Sequence, residues 1–489
     1  MNHFSFASSR HQTTMVASKG KESDVTVYGA TGMTGKYISR YLMDVANKHG
    51  KSLSITLAGR NPSKLESRKE MLLSEQGEAN SKDTTLDVFV ADSKDIEKLT
   101  EMAKRTSVVI CCAGPFERYA SGVVQACATT GTDYVDITAE VEWVAKMRQQ
   151  WGPAAAKSGA RIISFCGFDS IPSDLAVLGA VQAFRKTRGD NVELTQGSTW
   201  HVIMGGANGG TLLTAANMPM DIQRMVLHHP EKTLRKVPLF VFDPLVLTHP
   251  TQVRHNPDFQ SRRDELAFAE WYNQLPSLER MLGWSVSIPF FMGVANSKVV
   301  HASAIACDYG PKFVYYERNF PLGWSLSGYL GILTLIPALM AQLSILFVLS
   351  VMRIPVLGSW LLQTLVPPGS GLPDSVNARG YAQVYAEVTA PAAAPTNPSH
   401  VDRATCFMAF EGDPGNLVTA QCVCESALAL LWHRDDLPPK STDGFGTPAQ
   451  LLGPVLLQRL KDTQVRPVEF FTKFRKDDTP RARKISLYA

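Results

Sequence analysis

The segment Val25-Thr-Val-Tyr-Gly-Ala-Thr-Gly-Met-Thr-Gly-Lys36 constrains this chain most, because a β-branched and aromatic run leads straight into glycines at 29, 32 and 35. That order reads as strand, tight turn and helix start. Gly29 permits the sharp exit from the strand, Gly32 lets the backbone approach a pyrophosphate, and Gly35 lets helix and strand pack closely. Phosphates then sit on the helix N-terminus, where unpaired N–H groups and the positive end of the dipole favour anions. Thr31, Met33 and Thr34 join the glycines as candidate contacts.

The rest of the N-terminal third alternates strands with stretches of helical length. After a helix from about Lys36 to His49 comes Leu53-Ser-Ile-Thr-Leu-Ala58, ending at Gly59-Arg60-Asn61. Further strands are read at Asp87 to Ala91, then Asp92; at Ser107 to Cys112, then Ala113-Gly114-Pro115; at Tyr134 to Ile137; and at Arg161 to Phe165. This pattern predicts an α/β fold with a doubly wound parallel sheet over residues 23–165, binding its ligand at the carboxyl ends of the strands.

An NAD site usually carries Asp or Glu at the end of the second strand to accept from the ribose 2′-OH, and here Arg60 stands there. A guanidinium suits a 2′-phosphate because its planar fork matches the anion and stays charged, so NADP is the expected cofactor. Asn61 and Ser63 are further donors. The competing reading of Arg60 is a surface arginine capping a loop. Asp92 either meets the adenine amino group or N-caps a helix from Ser93 to Arg105.

A length of 489 residues suggests two to three domains, and a net charge of +4 with no basic stripe argues against nucleic acid as a partner. Eight cysteines lack any zinc-type C-x-x-C pair, which fits a reduced intracellular protein with no metal. Residues 1–22 are expected to be a disordered tail. Arg10, Lys19, Lys21 and the absence of acids among residues 1–21 also give it a transit-like character, with the mitochondrion as the alternative location. The C-terminus is not a peroxisomal address.

Residues 166–489 read as a second α+β domain with a mixed sheet. Thr199 to Thr211 is a strand feeding a glycine-rich loop, Ala382 to Thr389 and Thr405 to Glu411 are antiparallel strands, Ala390 to Pro398 is a surface loop, Leu417 to Trp432 is a helix, and Arg466 to Thr472 is a last strand. A hydrophobic insertion at 321–366 interrupts this domain: no charge lies between Arg318 and Arg353, and Pro337 divides the run into halves too short to cross. A crossing takes roughly 20 apolar residues, so a re-entrant or interfacial anchor is expected, with Trp324, Tyr329 and Trp360 in the headgroup zone. The competing reading is a buried helix pair.

The chain resembles the saccharopine dehydrogenase family, specifically its saccharopine-dehydrogenase-like oxidoreductase branch. The likeness is carried by Tyr28 to Gly35, Ala58-Gly59-Arg60, Cys112 to Phe116, Tyr134 to Ile137 and Cys166-Gly-Phe-Asp-Ser-Ile-Pro-Ser-Asp174, and continues through Gly209-Gly210-Thr211, Gly380-Tyr381 and Gly444 to Pro448. The resemblance implies an NADP-binding Rossmann domain, a second α+β domain, and a lipid-associated setting shared with trans-acting enoyl reductases. It also implies that Ala113, Gly114 and Pro115 and the loop around Asp169 lie on the nicotinamide side. The expected location is intracellular and membrane-associated, at a lipid droplet or the endoplasmic reticulum.

The cofactor performs hydride transfer, so the protein needs a cleft and, for carbonyl or imine chemistry, a proton donor. Asp169 and Asp174 are acid, orienting group or helix N-cap. His201 is a proton donor or a buried, satisfied histidine. Cys166 lacks an evident activating histidine, and no Y-x-x-x-K occurs. Three functions follow: an NADP(H)-dependent oxidoreductase acting on a lipid-like substrate at a membrane or droplet surface, a cofactor-binding regulator or scaffold, or a soluble amino-acid dehydrogenase of saccharopine type. The last needs arginines for a dicarboxylate, and Arg254, Arg262 and Arg263 are on offer. The first allows a homodimer.

Overall fold

The computed structural model describes residues 21–76, 84–205, 243–249, 262–273, 275, 277–279, 285–320, 373–392 and 400–476, with isolated positions between 333 and 343. Strands β1 (Ser23–Tyr28), β2 (Ser54–Gly59), β3 (Thr85–Val90), β4 (Thr106–Cys111), β5 (Asp133–Asp136) and β6 (Ile162–Ile163) lie in the order β3-β2-β1-β4-β5-β6, all parallel. Helices α1 (Met33–His49), α2 (Pro62–Gln76) and α3 (Ile96–Arg105) connect them. Right-handed crossovers put α1 and α2 on one face and α3 on the other, which is the doubly wound arrangement read from the sequence.

A long helix, α4 (Ile171–Arg188), leads into the second sheet. That sheet contains β7 (Gln196–Met204), passes over the small hairpin of β8 (Ser277–Glu279) and β9 (Ser285–Ser287), and continues with β10 (Val314–Asn319), β11 (Tyr381–Pro391) and β12 (Val401–Glu411). After helix α5 (Thr419–Trp432), strand β13 (Phe445–Gly446) pairs with β6 and makes the first sheet seven-stranded, and β14 (Glu469–Arg475) closes the second. The second sheet has the order β10-β7-β11-β12-β14; β10 and β7 are parallel and the other pairs antiparallel. It is the expected mixed sheet. One continuous core joins both parts, running from Ile110 and Phe168 to Val384 and Leu428.

Several boundaries differ from the sequence reading. Helix α1 starts at Met33, directly after Gly32, rather than at Lys36. Asp92 is not a helix N-cap: Asp95 is, accepting from the Lys98 N–H, while Asp92 closes a local turn by accepting from the Lys94 N–H. Ala390 and Pro391 belong to β11, not to a loop. The tail up to residue 20, the stretch 206–242 with its Gly209-Gly210-Thr211, and nearly all of 321–366 lie outside the described residues. Among the described residues no helix is long and apolar enough to cross a membrane.

Candidate functional site

Each glycine of the first loop has a distinct surrounding. Gly29 has φ +95°, and a Cβ there would lie 2.9 Å from the Ala113 backbone nitrogen, so the turn after β1 needs glycine twice over. A Cβ at Gly35 would sit 2.5 Å from the Gly29 carbonyl oxygen and 2.8 Å from Ala30 Cα, which ties α1 tightly to the turn. Gly32 is exposed and is the N-cap of α1. A Cβ there would meet only the Gly29 oxygen, at 3.3 Å. Helix α1 thus opens without a side-chain cap and without an acidic residue in its first turn, a helix start whose dipole suits an anion. The half-buried Thr31, Met33 and Thr34 line the same turn.

At the end of β2, Gly59 is buried and Arg60 exposed. Asn61 Oδ1 accepts from the Lys64 N–H at 3.0 Å, so this side chain caps α2 and its oxygen is committed. Arg68, one residue the sequence reading missed, donates from Nη2 to the Thr31 carbonyl at 3.2 Å. The signal was present: Leu65, Arg68 and Leu72 share the inward stripe of α2, with both leucines buried. Asp92 is exposed beyond β3.

On the other half of the sheet, Ala113, Gly114 and Pro115 follow β4. The Glu140 carboxylate accepts from the Phe116 and Glu117 N–H groups at 2.9 and 2.8 Å and fixes this turn. Asp136, at the end of β5, accepts from Ser164 Oγ at 2.9 Å and from the Thr138 N–H at 3.1 Å; burial pushes its pKa up to about 7. Phe165, at φ 65°, turns the chain from β6 into the Cys166–Ser170 loop. Cys166 is fully buried and its thiol is raised well above the ordinary value by burial, so it is no thiolate nucleophile.

Neither aspartate of that loop caps α4; the N-cap is Ser170. Asp169 is half-buried and raised to about 6 by desolvation. Asp174 lies inside the first turn, accepts from the Ala449 N–H at 2.8 Å, and is pushed up to about 7, chiefly by burial. Its folded-state pKa exceeds its unfolded value, so between about pH 4 and 7 the folded protein keeps a proton the unfolded chain has lost, and stability falls as pH rises. Asp174→Asn should therefore flatten the pH dependence of thermal melts between about pH 4 and 7, by at most about 1.4 kcal/mol per pH unit. An unaltered slope would show that Asp174 does not titrate in this window.

His201, on β7, is 1% exposed; its Nε2 lies 2.9 Å from Glu317 Oε1 and its ring stacks on Phe290 at 4.1 Å. The same oxygen of Glu317 accepts from Ser173 Oγ at 2.6 Å, Asn296 Nδ2 at 3.1 Å and the Tyr315 hydroxyl at 3.1 Å. This is a buried polar network holding α4 to the sheet. Two of the arginines that suggested a dicarboxylate site are engaged otherwise: Arg262 with Glu265 and the Pro311 carbonyl, Arg263 with Asp243. Arg254 lies outside the described residues.

The segment that leads into β11 contacts α1. The short helix Asp374–Asn377 precedes β11, and Asp374 accepts from the Tyr37 hydroxyl at 2.5 Å and from Lys36 Nζ at 3.0 Å. Asn377 Nδ2 donates to the Tyr37 hydroxyl at 2.9 Å. A Cβ at Gly205, just past β7, would lie 2.4 Å from Asp413 Oδ1, so the exits of β7 and β12 crowd the same corner.

Comparison with known proteins agrees with this geometry. The family described as saccharopine dehydrogenase NADP binding domain matches residues 25–160. A trans-acting enoyl reductase of Mycobacterium bovis is 30% identical over 453 residues, covering 90% of this chain and 96% of its own. A lipid droplet localized protein of Caenorhabditis elegans is 40% identical over 154 residues, 32% of this chain and 35% of its own. An Arabidopsis thaliana protein named "Probable mitochondrial saccharopine dehydrogenase-like oxidoreductase" is 35% identical over 157 residues, 32% of this chain and 34% of its own. The chain belongs to the saccharopine dehydrogenase-like family that includes the trans-acting enoyl reductases, and it is an NADP-dependent oxidoreductase.

Proposed function

We propose that this oxidoreductase acts on a lipid-like, apolar substrate taken from a membrane or lipid-droplet surface. One observation carries the reading: the described positions inside the apolar insertion, Leu333, Ile336, Leu339, Met340 and Leu343, are 43–70% exposed. Large apolar side chains exposed together in one short segment mark a site of interaction, which we read as contact with lipid rather than with a core. The topology supports it. Because β10 runs parallel to β7 and β11 antiparallel, β10 ends and β11 begins at the same end of the sheet, so the insertion leaves and returns on one side. Just after the insertion, Asp374 bonds Lys36 and Tyr37 of α1, which supports a lipid substrate reaching the proposed cofactor site from that side. The names of the enoyl reductase and lipid-droplet relatives point the same way, whereas the Arabidopsis name supports the mitochondrial alternative.

In this reading Gly29, Gly32, Gly35 and the α1 N-terminus hold the pyrophosphate, Arg60 faces the 2′-phosphate, and Ala113, Gly114 and Pro115 border the nicotinamide. Bound NADP(H) supplies or accepts the hydride. Asp169, raised by burial to about 6, is the candidate for moving a proton. His201 orients through Glu317 and stays inside the fold.

Arg60→Ala should weaken NADPH by roughly the 1.5 to 3 kcal/mol of a charge-assisted bond and leave NADH nearly unchanged. Calorimetric titration with both dinucleotides checks this, and equal losses would remove Arg60 from the 2′-phosphate.

Replacing residues 321–366 by a short polar linker tests the location. The full chain should float with phospholipid-coated triacylglycerol droplets and resist salt and carbonate extraction, and the linker variant should stay soluble with its NADPH affinity kept. An intact chain that remains soluble and ignores the droplets sinks the proposal.

A further inference from the structure

We propose that Arg68 is a second cation of the 2′-phosphate site, acting with Arg60 to set the preference for NADP(H) over NAD(H). This rests on the reading of the Gly29–Gly35 loop as the cofactor site. Arg68 sits on the inward stripe of α2, flanked by Leu65 and Leu72, which are 0% and 1% exposed. An arginine at such a position is costly unless something receives its charge. The described residues provide little: Nη2 donates to the Thr31 carbonyl at 3.2 Å, Nη1 lies 3.8 Å from Met71 Sδ, and Nε is buried with no partner. Among the described residues Arg68 forms no ion pair. Glu75, one and a half to two turns further along α2, is held by Arg40 through Nη2 at 2.5 Å and Nε at 3.0 Å. Burial is the largest influence on the Arg68 guanidinium and lowers its pKa, as expected of a charge lacking its anion.

The placement specifies which anion. Side chains on a helix lean toward its N-terminus, and the N-terminus of α2 lies at the carboxyl end of β2, beside Arg60. Through Thr31 the guanidinium also touches the loop after β1. It therefore spans the corner between the first loop and the end of β2, where the adenosine ribose lies in a doubly wound sheet. Asn61 caps α2 at that corner and no acidic residue occupies the first turn of the helix, so the helix start itself suits a phosphate. A planar fork held at Nη2 by Thr31 and touched at Nη1 only by a weakly accepting sulfur keeps terminal N–H donors that a phosphate oxygen can take.

The test is a fluorescence titration of the full chain with NADPH and with NADH, for wild type, Arg68→Gln and Arg68→Lys. Arg68→Gln should raise the Kd for NADPH about 10- to 100-fold and change that for NADH by less than about twofold, and Arg68→Lys, which keeps the charge but loses the fork, should lose an intermediate factor for NADPH alone. Equal losses for both dinucleotides would mean that Arg68 only buttresses Thr31 or meets the pyrophosphate, and would overturn the proposal. Unchanged NADPH affinity would also overturn it. Should Arg68→Gln fail to fold, the lysine variant decides alone: an unaltered NADPH to NADH ratio overturns the assignment. Wild-type protein that binds neither dinucleotide would overturn the cofactor-site reading itself.

Discussion

Gly32→Val is expected to raise the Kd for NADPH at least about 100-fold while shifting the thermal midpoint by only a few degrees. The two effects separate because of what surrounds residue 32. Its φ is −73°, which any residue adopts, and a Cβ would meet only the Gly29 carbonyl oxygen, at 3.3 Å. Folding therefore loses little beyond the difference between capping residues, on the order of 1 kcal/mol. The isopropyl group, however, stands over the exposed N-terminus of α1, where the pyrophosphate must come within hydrogen-bonding distance. Calorimetric titration beside a circular dichroism melt measures both. Retained affinity would mean that this turn does not cradle phosphate.

Gly35→Val should do the reverse and strike the fold first. Its Cβ would lie 2.5 Å from the Gly29 oxygen, 2.8 Å from Ala30 Cα and 2.9 Å from the Ala30 carbonyl carbon, all backbone atoms that cannot rotate away. Relief requires α1 to move off β1, breaking the contacts of Ile38 and Leu42, both fully buried. We expect a loss of roughly 3 kcal/mol or more, read as a lower urea midpoint, with cofactor binding lost as a consequence. A midpoint equal to that of wild type would contradict the close packing of α1 on the turn.

These opposite outcomes from two glycines three residues apart show what sequence spacing conveys. A strand running into Gly29, Gly32 and Gly35 dictates local backbone geometry, and local geometry is legible without a structure. So is the alternation that builds a parallel sheet, because β-branched runs such as Val108 to Ile110 are buried on both faces and read as continuous. Long-range placement is not. Nothing in the spacing announces that Asp374 returns to Lys36 and Tyr37, or that Phe445 and Gly446 extend the first sheet beside Ile162 and Ile163. Arg68 was missed because an isolated arginine on a charged helix reads as solvated surface; only its register with Leu65 and Leu72 distinguishes it. His201 and Glu317 lie far apart in the chain, so spacing could not show that a histidine that looked available for proton transfer has its Nε2 engaged by a carboxylate from a neighbouring strand. Asp92 and Asp95 are both plausible caps by composition, and the choice between them depends on where the helix packs.

The central claim joins the cofactor site to a lipid surface, and one measurement tests both at once. NADPH oxidation is followed with a total lipid extract presented on droplets, using the full chain, the variant with residues 321–366 replaced, and Gly32→Val. The account predicts turnover by the full chain that is lost in Gly32→Val and falls sharply in the linker variant, which still binds NADPH. Turnover that survives loss of the insertion, or that appears only with a water-soluble amino acid and no lipid, would contradict it.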